Sequence, residues 1–366
     1  MTEQIKSAVY KTALGLSAIC LLGAGIFGTL YKTPFPARIL ATACPILLAV
    51  GLSGTPFKGF RFTICIIAAV LAAMCFPERF LNFGQINLRD RRLILAIVQL
   101  VMFGMGTQMS LNDFRGVIRM PKAVVIGIAC QYTIMPVVGF LLAKIFGFPP
   151  EIAAGIILIG SCSSGLASNV MNYIAGANLA LSVTLTAVAQ LLAPVFTPMW
   201  MKLLAAEMVE VQFFGMMKEI ILMVLLPIVV ALLYNAVRKE RLERLHRLMP
   251  VLSMTGIIYF TAVTTAAGRD HLLKIGALLF LAAVLHNALG YMLGYWAARL
   301  CRLDQNSCRT IAIEVGLQNG GMASGIAGVL GKLDTVGLAA AIFSPWMNVS
   351  GSILANYWHK HKLKDA

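Results

Sequence analysis

The chain has 366 residues, 59% of them hydrophobic and 12% charged, with a mean hydropathy of +0.83 and a formal charge of +15. Soluble domains carry about 25% charged residues, and here apolar runs recur from residue 8 to residue 358, so a water-soluble globular protein is excluded. The positive charge does not mark a nucleic-acid binder, because it sits in short loops between apolar runs, where Lys and Arg set membrane orientation.

A hydrocarbon core of about 30 Å takes about 20 apolar residues per helical crossing. That ruler predicts spans near 8–31, 38–53, 61–80, 92–111, 122–146, 150–175, 179–204, 213–237, 250–268, 273–300, 306–331 and 335–357. The expected fold class is all-α and polytopic. The first apolar run, Ala13 to Leu30, is long and no small-residue cleavage site follows it, so it reads as a retained helix and not a cleaved signal. The second span is short and holds Pro45. Basic clusters at Arg115/Arg119/Lys122, Arg238 to Arg247, Arg299/Arg302/Arg309 and His359 to Lys364 are separated by even numbers of spans and share one side, expected to be cytoplasmic. Arg89-Asp90-Arg91-Arg92 lies one span before Arg115 and violates that bias. The eight cysteines show no CxxC pair or metal spacing, and most sit inside apolar helices.

Two spans are polar and glycine-rich at their middles. The sixth contains Gly160-Ser-Cys-Ser-Ser-Gly-Leu-Ala-Ser-Asn169, and the eleventh contains Ile311-Ala-Ile-Glu-Val-Gly-Leu-Gln-Asn-Gly-Gly-Met-Ala-Ser-Gly325. Both are expected to unwind there, which membrane depth tolerates only where backbone is buried in protein or lines a cavity. Gly165-Leu-Ala-Ser168 matches Gly321-Met-Ala-Ser324 at an offset of 156, and the same offset carries Gln131 onto Asn287. Two repeats of five spans each, near 60–205 and 213–358, would enter the membrane in opposite senses. Interrupted helices at matching positions of such repeats point to a secondary-transporter site. Residues 1–54 then read as an added transmembrane hairpin, 55–358 as a ten-helix unit, and 359–366 as a basic cytoplasmic tail.

Glu314 is the only carboxylate well inside a span. An acid at bilayer depth costs about 2.5–3.5 kcal/mol on insertion scales, and it marks an ion or proton path by default. Gln318 shares its helix face at i+4 and Asn319 follows at the break. Oxygen donors without His or Cys suit a hard cation such as sodium, while a proton relay through Glu314 is the competing reading. Ser168, Asn169, Ser182 and Thr186 add further oxygens; Ser182 and Thr186 share one face, unless they bond their own i−4 carbonyls. Asn172, a turn beyond the break, and Met347-Asn348 are further polar candidates, whereas His286 reads as a bonded packing residue. An intramembrane enzyme finds little support, because the chain has no HExxH helix and one deep acid where aspartyl chemistry needs two.

Ala167-Ser-Asn-Val-Met-Asn-Tyr173, Leu181-Ser-Val-Thr-Leu-Thr186, Leu285-His-Asn-Ala-Leu-Gly-Tyr291, Glu314-Val-Gly-Leu-Gln-Asn319 and Trp346-Met-Asn-Val-Ser-Gly351 together resemble the signatures of the bile acid:sodium symporters, bacterial members above all, over roughly residues 60–358. The resemblance implies inverted five-helix repeats forming a panel and a core, with the discontinuous helices crossing in the core. It also implies two bound sodium ions. By position, Ser168, Asn169, Ser182, Thr186 and Glu314 would hold one; Gln131, Glu314 and Gln318, with the backbone of Val315 and Leu317, would hold the other. The expected activity is sodium-coupled symport of an organic anion by alternating access in the bacterial inner membrane, with a proton-coupled exporter as the alternative. The anion is expected at Gly165, Leu166, Asn319, Gly320 and Asn348, where half-helix N-termini carry partial positive charge. Ser163-Ser-Gly-Leu166 stands where the family commonly has Pro-Gly-Gly-Thr, and Trp346-Met-Asn348 where it has Trp-His-Asn. Both changes remove polar groups and favour a more apolar anion than a small hydroxy acid such as pantoate. Lipid is the surrounding partner, and the sequence leaves the oligomeric state open.

Overall fold

The computed structural model describes residues 3–29, 34–52, 61–237 and 242–361. Parts of two basic clusters, residues 238–241 and 362–364, lie outside the described residues, as does the predicted boundary of the hairpin near residue 54. The apolar runs fold as helices, and the chain is an all-α polytopic membrane protein. In order these are α1 (Glu3–Thr29), α2 (Pro34–Gly51), α3 (Arg61–Cys75), α4 (Pro77–Leu81), α5 (Arg91–Thr107), α6 (Gly116–Arg119), α7 (Pro121–Phe146), α8 (Pro150–Ser161) and α9 (Leu166–Ala175). They continue with α10 (Leu179–Leu204), α11 (Phe213–Ile220), α12 (Leu226–Val237), α13 (Leu242–Ala267), α14 (Arg269–Leu300), α15 (Gln305–Gly316), α16 (Gly320–Val329) and α17 (Val336–Lys360).

Proline and polar side chains set the departures from straight rods. Pro45 sits inside α2, which nevertheless continues to Gly51 against α1. The predicted third span stops at Cys75, and Pro77 opens α4 before a two-residue β-hairpin, Asn82–Phe83 with Ile86–Asn87. The fourth ends at Thr107 and bends by 67° into the turn that leads to α6. Asn235 of α12 donates to the carbonyls of Thr107 and Met109 at 3.0 and 2.9 Å, so the freed end of α5 is capped from another helix. Between α11 and α12 a π-turn spans Ile221–Leu225, just before Pro227, whose missing N–H and bulky ring disturb the normal ladder.

The helices pack in two groups. α3, α5, α12 and α13 form one, with α2 laid against α3 and α1 against α2. α7 to α10 and α14 to α17 form the other. α16 packs on α5 and α13, and α10 on α11, where the two groups meet. The odd basic loop has an anchor. Asp90 caps α5 by accepting from the Arg92 and Leu93 N–H groups, and Arg91 reaches Glu219 of α11 at 2.5 Å. At that same end Lys332 pairs with Glu151.

Both polar spans are broken. α8 ends at Ser161 and α9 starts at Leu166; α15 ends at Gly316 and α16 starts at Gly320. The two breaks touch: Ser164 and Gln318 form an antiparallel β-bridge, and the Asn319 N–H donates to the Ser163 carbonyl at 2.8 Å. Unwound backbone in lipid costs several kcal/mol per unmet polar group, and side chains from neighbouring helices meet the rest. Thr197 donates to the Ser161 carbonyl (2.7 Å), Gln131 to Cys162 (3.1 Å), Gln190 to Ser164 (3.0 Å) and Asn287 to Gly316 (2.8 Å). Gln131 and Asn287, related by the 156-residue offset, thus do the same work at the two breaks.

Close approach at the first break depends on Gly160. A Cβ there would lie 2.5 Å from the Met135 carbonyl oxygen, which is backbone and cannot swing away. Gly276 on α14 is the control, since its Cβ would meet side-chain atoms no nearer than 3.8 Å. Gly160→Ala is expected to lower thermal stability in detergent by the equivalent of about 1–3 kcal/mol. Gly276→Ala should leave the unfolding midpoint unchanged or slightly raised, read by intrinsic fluorescence during heating.

Candidate functional site

The break in α8–α9 delivers Ser168, Asn169 and Asn172 on the first turns of α9, spaced so that all three face one side. Ser182 and Thr186 come from α10 and Glu314 from the last turn of α15 before its break. These elements converge on Glu314, which is 2% exposed. One of its oxygens, Oε1, lies 2.5 Å from Ser182 Oγ and 3.3 Å from Asn172 Nδ2; Oε2 lies 3.0 Å from Thr186 Oγ1. Ser168 lies beside this pair, its hydroxyl 3.4 Å from Thr186 Oγ1. No Lys, Arg or His is among these neighbours. Arg309, earlier on α15, turns its guanidinium to the His361 carbonyl and the Trp358 ring.

The cluster holds more oxygens than protons. Asn169 Oδ1 lies 2.7 Å from Ser182 Oγ and 3.2 Å from Thr186 Oγ1, so it and Glu314 compete for the same two hydroxyl protons. Each hydroxyl carries one proton and can satisfy one of the two acceptors. Ser168 offers no relief, because its hydroxyl already donates to the Gly165 carbonyl at 2.7 Å. Asn172 Oδ1 is buried with no donor of its own. Thr184, and not Thr186, makes the i−4 bond to its own helix, to Ala180. A convergence of carboxylate, carboxamide and hydroxyl oxygens with too few protons is the chemistry that a hard cation satisfies. Among the described residues no three His, Cys, Asp or Glu side chains gather where a transition metal would bind.

A second set lies on the other side of the crossover. Gln131 Nε2 donates to Gln318 Oε1 at 2.9 Å as well as to the Cys162 carbonyl, and Gln318 Nε2 donates to the Val315 carbonyl at 2.7 Å. Gln131 Oε1 is buried without a donor. A half-turn of that amide would place the Gln131, Gln318 and Cys162 oxygens together, an arrangement a cation could hold. Gln131, Gln318 and Val315 are therefore brought together. Leu317 is the extended residue that ends α15, and Glu314 connects this set to the first along the helix.

The residues expected at the anion are less uniform. Gly165 precedes α9, and its Cα face looks onto the Gln318 carbonyl and Asn319; Leu166 opens that helix half-buried. Asn319 caps α16 through the Met322 N–H at 3.0 Å, and its amide faces Met102 and Met105 of α5. Gly320 is packed on Ser344 of α17, where a Cβ would fall 1.8 Å from Oγ. Asn348 donates to the Ser344 carbonyl at 2.8 Å, one residue removed from the crossover. Ser164 and Gln190 were not foreseen. Gln190 lies i+4 from Thr186, on the same face of α10, and that spacing was the signal available. His286 is a packing residue, bonded to the Met135 carbonyl at 2.9 Å.

This chain matches a model of the sodium bile acid symporter family over residues 95–275. The sodium-dependent transporter YocS of Bacillus subtilis, itself uncharacterized, is 38% identical over 305 residues, which is 83% of this chain and 92% of that protein. The probable chloroplastic sodium/metabolite cotransporter BASS1 of Arabidopsis thaliana is 32% identical across 71% of this chain and 65% of its own length. The ileal sodium/bile acid cotransporter of Oryctolagus cuniculus is 29% identical across 72% of this chain and 76% of its own. With 38% identity over 83% of its length to a sodium-dependent transporter, the chain belongs to the sodium bile acid symporter family, a family of membrane transporters and not of enzymes.

Proposed function

We propose that the chain is a sodium-coupled symporter that carries an organic anion across the membrane by alternating access. The observation that carries this reading is the oxygen excess around Glu314, a buried carboxylate with no protein cation against it. In this reading one sodium ion takes the oxygens of Ser168, Asn169, Ser182, Thr186 and Glu314, with Asn172 as an added neighbour. A second takes Gln131, Gln318 and Glu314 with the backbone of Val315 and Leu317. One carboxylate shared by two cations leaves a net positive crossover that suits an anionic substrate.

Residues 60–205 and 213–358 act as inverted repeats. The helices of the first packing group form the panel, and α7 to α10 with α14 to α17 form the core that carries the breaks. Gly165, Asn319 and Gly320 are buried between them. A crevice of about 370 Å³ between α5, α11, α10 and α16 opens at the end holding Arg91 and Lys332. Its lining stops short of the breaks, so the site meets water only when core and panel move relative to one another. The four basic clusters put the opposite end in the cytoplasm. At the anion itself, Leu166 and the sulfurs of Met102 and Met105 near Asn319 support an amphipathic organic anion over a small hydroxy acid. The carboxylate or sulfonate is received at the α9 and α16 N-termini.

Proteoliposomes test the coupling. An inward sodium gradient should drive uptake of radiolabelled taurocholate over pantoate, and choline in place of sodium should abolish it. Uptake that follows a pH gradient and ignores sodium would transfer Glu314 to a proton and end this reading. Glu314→Gln, which keeps the shape and removes the charge, should weaken sodium activation of uptake by at least about 10–100-fold. Asn172→Ala should raise the sodium concentration for half-maximal uptake with a smaller change in maximal rate. Gln131→Leu should lower the Hill coefficient for sodium from near two toward one, whereas an unchanged coefficient would remove the second ion site.

A further inference from the structure

α14 and α17 run side by side and leave a groove of about 590 Å³ open to the flank of the protein. Its walls recur at helical spacing. Tyr291, Tyr295 and Trp296 come from α14, and Trp346, Tyr357 and Trp358 from α17. Along either helix the lining covers about 12 residues, or about 18 Å at 1.5 Å per residue, close to one leaflet of a ~30 Å hydrocarbon core. The polar side chains Asn287, Tyr291 and Ser350 on its floor pair with one another: Ser350 Oγ donates to Asn287 Oδ1 at 2.5 Å, and Tyr291 Oη lies 3.1 Å from Ser350 Oγ; the indole N–H of Trp346 is the buried polar atom left without a partner. The groove therefore presents an apolar, aromatic surface along its length.

Its basic end is different. Arg309 is 6% exposed, and its guanidinium lies 5.4 Å from the centre of the Trp358 ring, which the Tyr295 ring flanks with centroids 6.4 Å apart. One hydrogen bond leaves that guanidinium, to the His361 carbonyl, and Arg309 Nε is buried without an acceptor. Arg299, i+3 from Trp296, and Lys360, i+3 from Tyr357, are exposed at the same mouth. Among the described residues no ion pair engages Arg299, Arg309 or Lys360. A buried guanidinium needs an anion, and two exposed cations at the mouth favour one with a spread charge.

We propose that this groove is a binding site for an anionic phospholipid of the leaflet at the basic end. An acyl chain lies along the aromatic wall, and the phosphate is held by Arg309, Arg299 and Lys360. A second copy of the chain is a poorer occupant, because a two-fold axis along the membrane normal would bring the same cations together from both copies. The site lies on the flank of the core and does not depend on how sodium or substrate binds.

The test is native mass spectrometry of the full chain released from nanodiscs that contain equal phosphatidylglycerol and phosphatidylcholine with matched chains. Phosphatidylglycerol should be retained over phosphatidylcholine by about tenfold. Arg309→Gln should bring that ratio close to one, and Arg309→Lys should keep most of it. Ala288→Trp, at an exposed position of α14 inside the groove, should remove the adduct of either lipid without touching the cations. Equal retention of the two lipids by the unaltered chain, an unchanged ratio in Arg309→Gln, or a dimer lost in Ala288→Trp with lipid adducts intact would each overturn the assignment.

Discussion

An ionised side chain buried in a membrane must find an opposite charge, and none of the described residues brings one against Glu314. Its neighbours are two hydroxyl groups, a carboxamide N–H and a further carboxamide oxygen that wants the same protons. Hydrogen bonds to a charged group contribute about 1.5–3 kcal/mol each, enough to offset part of the cost of burial but not to supply the missing protons. On the proposed reading a cation makes good that shortage. It ties the chemistry to α9, α10 and α15 at once, so the position of Glu314 depends on all three.

The crossover makes that position possible. A carboxylate on an unbroken helix would face the side of a rod, with every carbonyl committed to its own ladder. Breaking α8–α9 and α15–α16 frees carbonyls and helix ends, and the bridge between Ser164 and Gln318 holds the two breaks together. Gln131, Asn287, Gln190 and Thr197 then satisfy the freed carbonyls from helices outside the crossover. The site's geometry is accordingly held by α7, α10 and α14, none of which is broken. In the proposed cycle a core built this way would move against α5 and α13 without disturbing its ion ligands, which is the mechanical requirement of alternating access.

Much of this was legible in the residues. Glycine, serine and amide side chains in apolar runs announce unwinding, and the offset joining Gln131 to Asn287 announces two equivalent breaks. The span boundaries followed from hydrophobic length, with errors where proline or an outside cap decided them, as at Cys75 and Thr107. Contacts between distant helices were not legible. Ser164 reads as a filler in a serine run until the bridge turns it toward Gln318. Gln190 reads as one amide in an apolar helix until the Ser164 carbonyl arrives. Arg91 defies the charge bias in the sequence, and only packing shows Glu219 beside it. The α14–α17 groove is likewise two unremarked aromatic stripes until the fold sets them side by side.

The claim on which the account rests is that sodium itself neutralises Glu314. Equilibrium binding of radioactive sodium to the purified chain, in detergent and without substrate, measures it most directly. The account predicts saturable binding that unlabelled sodium competes away, that potassium and choline do not, and that Glu314→Gln loses. Sodium bound equally well by the Glu314→Gln protein, or displaced equally by potassium, would contradict it.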